Sequence, residues 1–142
     1  MDDSFHQRIA NDFASLHELM EKTTQFLESR AVDERGVYLV SFGLEEIITN
    51  IVKYGYDGPG TYHIDVTLKL YVGEVELIII DDGHAFDPVA QERKMPAASI
   101  EDREIGGLGL HLVRKLIDRV NYRRQQGRNI VELKVRREQA QP

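Results

Sequence analysis

A chain of 142 residues that is 42% hydrophobic can bury one core without covalent staples, and no second domain is required. With no cysteine, disulfides, thiol catalysis and cysteine-based zinc sites are excluded, and a reducing compartment suits the composition. The net charge of -6 argues against indiscriminate nucleic-acid binding, and no stretch approaches the roughly 18 apolar residues of a membrane span, so the expectation is a cytoplasmic protein that touches neither nucleic acid nor membrane.

Phe5 to Ala10 alternates weakly and reads as an edge strand. Asn11 and Asp12 supply N-cap oxygens for a helix from about 12 to 30, in which Phe13, Leu16, Leu19, Met20, Thr23 and Leu27 share a packing face. Val32-Asp33-Glu34-Arg35 opens a second helix that reaches about Tyr54, with Leu39, Val40, Phe42, Gly43, Ile47 and Ile51 inward; Tyr56-Asp57-Gly58-Pro59-Gly60 stops it. Residues 62–72 alternate as a half-buried strand, and Gly73-Glu74 turns the chain into a second strand over 75–81. Residues 83–105 show no period, and a loop of that length in a compact domain is usually functional. A helix over 107–118 follows, then two antiparallel strands near 119–126 and 129–137 around Gln126-Gly127-Arg128. The last 29 residues hold nine Lys or Arg against three Asp or Glu, with aliphatic residues between, which is the pattern of a solvated face. The order β-α-α-β-β-loop-α-β-β predicts a two-layer α/β sandwich with a mixed, mainly antiparallel sheet and helices on one face.

Three short motifs carry the chemistry. Glu46 and Asn50 are four residues apart, so they share one helix face one turn apart. Asn50 offers a neutral carbonyl oxygen suited to magnesium held beside nucleotide phosphates, and Glu46 can orient or deprotonate an attacking hydroxyl. Taken alone, the pair also fits ordinary polar positions on an amphipathic helix, as Glu45 and Lys53 do. Asp81 ends the apolar run Leu77-Ile78-Ile79-Ile80, which places its carboxylate at a sheet end where it can accept an adenine amino group. Gly83 lets the backbone turn and approach a flat base, although Asp-Asp-Gly is also a common strand terminator. Gly106-Gly107-Leu108-Gly109 exposes N–H groups to phosphate at the start of a helix. It is not a Walker loop, lacking Gly-Lys-Ser/Thr, nor a dinucleotide fingerprint, because Leu112 stands where a third glycine belongs. His6, His17, His63, His84 and His111 share no metal-ligand spacing, and Tyr54 and Tyr56 read as packing residues. An ATP-dependent phosphotransferase and a nucleotide-gated binding module both remain open on these residues.

In order and separation, the motifs resemble the GHKL ATPase superfamily, in particular its small branch of bacterial anti-sigma-factor serine kinases, over nearly the whole chain. Glu46-x-x-x-Asn50 resembles the N-box, implying Glu46 as general base and Asn50 as magnesium ligand. Asp81-Asp82-Gly83-His84-Ala85-Phe86-Asp87-Pro88 resembles the next box, with Asp81 as the adenine-binding carboxylate and Ala85 where many members carry glycine. Gly106-Gly107-Leu108-Gly109-Leu110 resembles the box that ends the ATP lid, implying a single domain over 1–142 with its lid at about 83–106. Arg103 stands near where some relatives place a phosphate-contacting arginine, with Ile105 as an extra residue before the glycines. The resemblance implies a Bergerat-type fold, Mg-ATP as cofactor, and transfer to a Ser or Thr of a small anti-anti-sigma antagonist of STAS type. It further implies sequestration of a sigma factor and is compatible with a homodimer. A histidine-kinase-like domain is disfavoured, because no two-helix phosphoacceptor module precedes the ATP-binding part.

Overall fold

The computed structural model describes residues 3–89 and 107–138. Its elements are β1 (Ser4–Ala10), α1 (Phe13–Ser29), α2 (Glu34–Tyr54), β2 (His63–Tyr71), β3 (Glu74–Asp81), α3 (Gly107–Leu116), β4 (Arg119–Gln125) and β5 (Arg128–Arg136). Helix α1 starts where the Asp12 carboxylate accepts the Ser15 N–H at 2.7 Å, as its position in the sequence suggests. It closes where Ala31 takes a left-handed turn with φ of 60° and the Val32 N–H reaches back to the Leu27 carbonyl. Leu16, Leu19, Thr23 and Leu27 are buried along one face, whereas Phe13, expected inward, is 43% exposed.

The five strands run in the order β1-β2-β3-β5-β4. The two-layer α/β expectation holds, but every pairing among the described strands is antiparallel and no parallel neighbour makes the sheet mixed. Topology explains the difference. The crossover from β3 through α3 does deliver β4 in the same direction as β3, but β5 folds back from the Gln126-Gly127 turn and inserts between them. No helix among the described residues is long and apolar enough to cross a membrane.

Period two sets which side chains face the helices. Ile64, Val66, Leu68 and Leu70 of β2 point inward, as do Val75, Leu77 and Ile79 of β3 and Val131, Leu133 and Val135 of β5. Asp81 continues the inward phase of β3, so its carboxylate points beneath the helix layer rather than toward solvent. Asn129 occupies the same phase of β5 and is the direct register partner of Asp81. Helix α2 covers this pair of strands closely: a Cβ on Gly43 would stand 2.6 Å from a Leu133 methyl. The predicted helix over 107–118 ends at Leu116, and the Asp118 carboxylate instead accepts the Arg136 N–H at 2.7 Å. Arg103, Gly106 and most of the expected lid lie outside the described residues.

Candidate functional site

Helix α2 presents the first part of the site. Asn50 is 6% exposed, and its Nδ2 donates to the Glu46 backbone carbonyl at 2.7 Å. Only the amide nitrogen can donate, so this bond fixes the side chain with Oδ1 turned away from the helix backbone and free to meet a cation or a donor. Asn50 itself lines a narrow, mostly apolar cleft with Ile47, Ile51, Asp81, Phe86 and Val131. One turn earlier, Glu46 is half-buried with its carboxylate against α3, where a Cβ on Gly109 would collide with it. Burial pushes the Glu46 carboxyl above the ordinary range, Glu45 pushes it further, and Lys53 opposes both.

The exit of β3 supplies the second part. Asp81 is 5% exposed, and its Oδ2 accepts the Gly83 N–H at 2.8 Å and the Asn129 Nδ2–H at 3.2 Å. Burial raises its pKa, against the lowering effect of those two bonds. Both bonds converge on Oδ2, which leaves Oδ1 as the carboxylate oxygen available to a ligand. Asn129 is 2% exposed and holds the whole corner: its Oδ1 accepts from the Tyr122 hydroxyl at 2.6 Å, Arg124 Nη1 at 2.9 Å and the Phe86 N–H at 3.3 Å. Its Nδ2 also donates to the His84 carbonyl at 2.8 Å, completing five hydrogen bonds on one amide. At Gly83 a Cβ would meet the Gly55 carbonyl and the Asp81 carboxylate, and the His84 N–H donates to the same Gly55 carbonyl at 2.8 Å. The glycine thus lets the strand exit dock on the end of α2.

An apolar cleft with a few convergent polar groups, one of them a buried carboxylate of perturbed pKa, is the usual form of a small-ligand site. The sequence model of the histidine kinase-like ATPase domain family matches residues 9–135 of this chain. The chain belongs to the histidine kinase-like ATPase domain family. The serine/threonine-protein kinase BtrW of Bordetella bronchiseptica is 32% identical to this ATPase domain over 76% of the chain and 79% of that protein. The serine-protein kinase RsbW of Halalkalibacterium halodurans is 32% identical over 62% of the chain, and the match spans 56% of that protein's length. Among solved structures, the RsbU and RsbW domains of a Mycobacterium tuberculosis protein superpose with a TM-score of 0.64 at 13% identity, over 97% of this chain and 34% of that one. The mycobacterial sensor histidine kinase MprB gives 0.51 at 16% identity, over 96% and 100%. At those identities the likeness is one of fold.

In this ATPase domain, Asn50 and Asp81 line one cleft, Gly83 lies immediately behind Asp81, and Glu46 faces Gly109 one turn away. Gly107 and Leu108 lie in the first turn of α3, while Arg103 and Gly106 fall outside the described residues. Among the described residues no three His, Cys, Asp or Glu side chains gather to hold a metal. Tyr56 packs as expected, stacked on Tyr62 at 4.0 Å. Sequence reading missed Asn129 and Arg124. A signal for the first was present: Asn129 keeps the inward phase of Val131, Leu133 and Val135, where a polar side chain needs a buried partner.

Proposed function

We propose that this ATPase domain is a Mg-ATP-dependent serine/threonine kinase that phosphorylates a small STAS-type anti-anti-sigma protein and also acts as an anti-sigma factor. The observation that carries the reading is Glu46, half-buried with a raised pKa, one turn from an Asn50 whose amide oxygen is turned outward. The similarity to the protein kinases BtrW and RsbW supports it. Asp81 Oδ1 accepts the adenine amino group, and the apolar cleft walls take the ring faces. Asn50 Oδ1 is the oxygen that would hold magnesium, which when bound offsets charge on the transferring phosphoryl group. The substrate hydroxyl oxygen bonds to the γ-phosphorus as the bond from that phosphorus to the β–γ bridging oxygen breaks. ADP leaves, and the hydroxyl proton passes to the Glu46 carboxylate. A raised pKa makes the Glu46 carboxylate a better proton acceptor.

The test is incubation with γ-labelled Mg-ATP and a panel of STAS-type proteins, beside an Asn50→Ala control. Label on Ser or Thr, reduced by roughly a hundredfold or more in the control, is the expected result for a residue acting on the transferring group. Tight nucleotide binding with no label on any panel member would assign the chain to nucleotide-gated binding instead.

Gly109→Ala is a second test. The atoms nearest the added methyl belong to the flexible end of Glu46, so the fold should hold, and alanine favours a helix by about 0.5–1 kcal/mol over glycine. Displacing the carboxylate should lower the transfer rate by about tenfold or more, since misplacement on the scale of 1 Å is costly. A rate equal to wild type, with an unchanged melting temperature, would show that Glu46 needs no such seat.

A further inference from the structure

Tyr38, Phe42, Glu46 and Asn50 stand four residues apart along α2. Rows of that spacing wind by about 40° per step around a helix. This row therefore descends from solvent into the cleft: Tyr38 is 62% exposed, Phe42 and Glu46 are partly buried, and Asn50 is 6% exposed. Helix α3 runs antiparallel beside it, as three anchors show. Gly109 abuts Glu46, Ile117 lies against Gly43, and Arg35 pairs with Asp118 at 3.8 Å. Leu112 and Leu116, both exposed, fall between these anchors along α3, and the antiparallel register sets them level with Phe42 and Tyr38 of α2. Of six exposed large apolar residues among the described ones, three lie in this patch, so it is a cluster and not the usual scatter. The Tyr38 and Phe42 rings stack at 6.3 Å and 8°, which makes a flat, rigid anchor of the kind that dominates protein interfaces.

The row runs from an exposed end at Tyr38 to a buried end at Asn50. In the kinase reading the nucleotide takes the Asn50 end and Gly109 abuts Glu46 on the α3 side, so the exposed approach to the base runs along Phe42 and Tyr38. We propose that Tyr38, Phe42, Leu112 and Leu116 seat the protein substrate, which presents an apolar side chain near its accepting Ser or Thr. One helical turn separates Phe42 from Glu46, about 6 Å, which equals roughly two residues of extended chain. This inference rests on the kinase reading and assigns the substrate's line of approach within it.

Tyr38→Glu and Leu116→Glu change exposed side chains, and melting temperature and Mg-ATP affinity are measured first to establish that fold and nucleotide site survive. The KM for a phosphorylated member of the STAS panel is then expected to rise about tenfold or more in each variant, the scale of a lost interface anchor. Replacing the apolar residue that flanks the acceptor hydroxyl by Glu should raise KM similarly, with little further rise in the double substitution. Unchanged KM overturns the docking assignment and leaves the kinase reading standing; unchanged KM together with loss of a dimer in sedimentation assigns the patch to a second copy. Failure of the wild-type chain to label any panel member overturns both.

Discussion

Glu46→Gln is expected to lower phosphoryl transfer by roughly 10²–10⁴-fold, the usual contribution of a positioned general base, while Mg-ATP affinity stays within about threefold. The structure separates the two quantities. Asn50 is oriented by the backbone carbonyl of residue 46, which every substitution retains, so the nucleotide side of the helix keeps its geometry. Glutamine also preserves the side-chain shape beside Gly109. A second signature follows from ionisation. The base acts deprotonated, and burial raises its pKa, so the rate should fall on acidification at a higher pH than an ordinary glutamate would give. Glu45→Gln should move that acid limb to lower pH and Lys53→Met to higher pH, because Glu45 raises the pKa and Lys53 lowers it. Transfer at the wild-type rate in Glu46→Gln would remove the residue from the base role.

Much of this architecture was legible because it depends on local periodicity. The alternation of β2 and β3, the cap at Asp12 and the helical spacing of Leu39, Val40, Gly43, Ile47 and Ile51 each follow from neighbours a few residues apart. The spacing of Glu46 and Asn50 likewise fixes a shared face before any tertiary contact is known. What escaped depends on pairing across the chain. The Asn129–Asp81 bond spans 48 residues, and nothing near Asn129 in sequence announces a buried carboxylate as its register partner. The antiparallel sheet depends on β5 inserting between β3 and β4, which is decided by strand register and not by the composition of either strand. Gly83 was recognised as a point of close approach, but its partner turned out to be Gly55 of the preceding helix, reached only once α2 and β3 pack together.

Asp81 shows why the corner is built with so many hydrogen bonds. A carboxylate that is 5% exposed loses hydration, and the donors from Gly83 and Asn129 with the nearby charge of Arg124 only partly compensate, since its pKa remains raised. Keeping such a group ionised lowers stability at neutral pH, a cost commonly found where a carboxylate must meet a ligand donor.

Substitutions at Asp81 and Asn129 should therefore act in opposite directions on stability. Asn129→Ala removes an amide with five hydrogen bonds, leaving the Tyr122 hydroxyl, the Phe86 N–H and the His84 carbonyl without their partner and the Asp81 charge with one donor fewer. Losses from breaking buried charged networks run to about 3–5 kcal/mol, and a drop of that order in unfolding free energy is expected. Asp81→Asn keeps an acceptor for Gly83 but carries no charge. Because the folded pKa of Asp81 is raised above its unfolded value of about 3.8, its ionisation leaves wild-type stability intact below that value and erodes it as pH climbs through the folded pKa. The Asn variant lacks this erosion, so its melting temperature should match or exceed wild type near neutral pH, and the gap should narrow on acidification. It should nonetheless lose Mg-ATP binding by roughly a hundredfold, the scale of a charge-assisted buried hydrogen bond. Melting curves across pH beside nucleotide titrations decide the matter: an Asp81→Asn chain that melts lower at neutral pH would mean the carboxylate holds the fold together, and one that binds Mg-ATP normally would mean the base contact lies elsewhere.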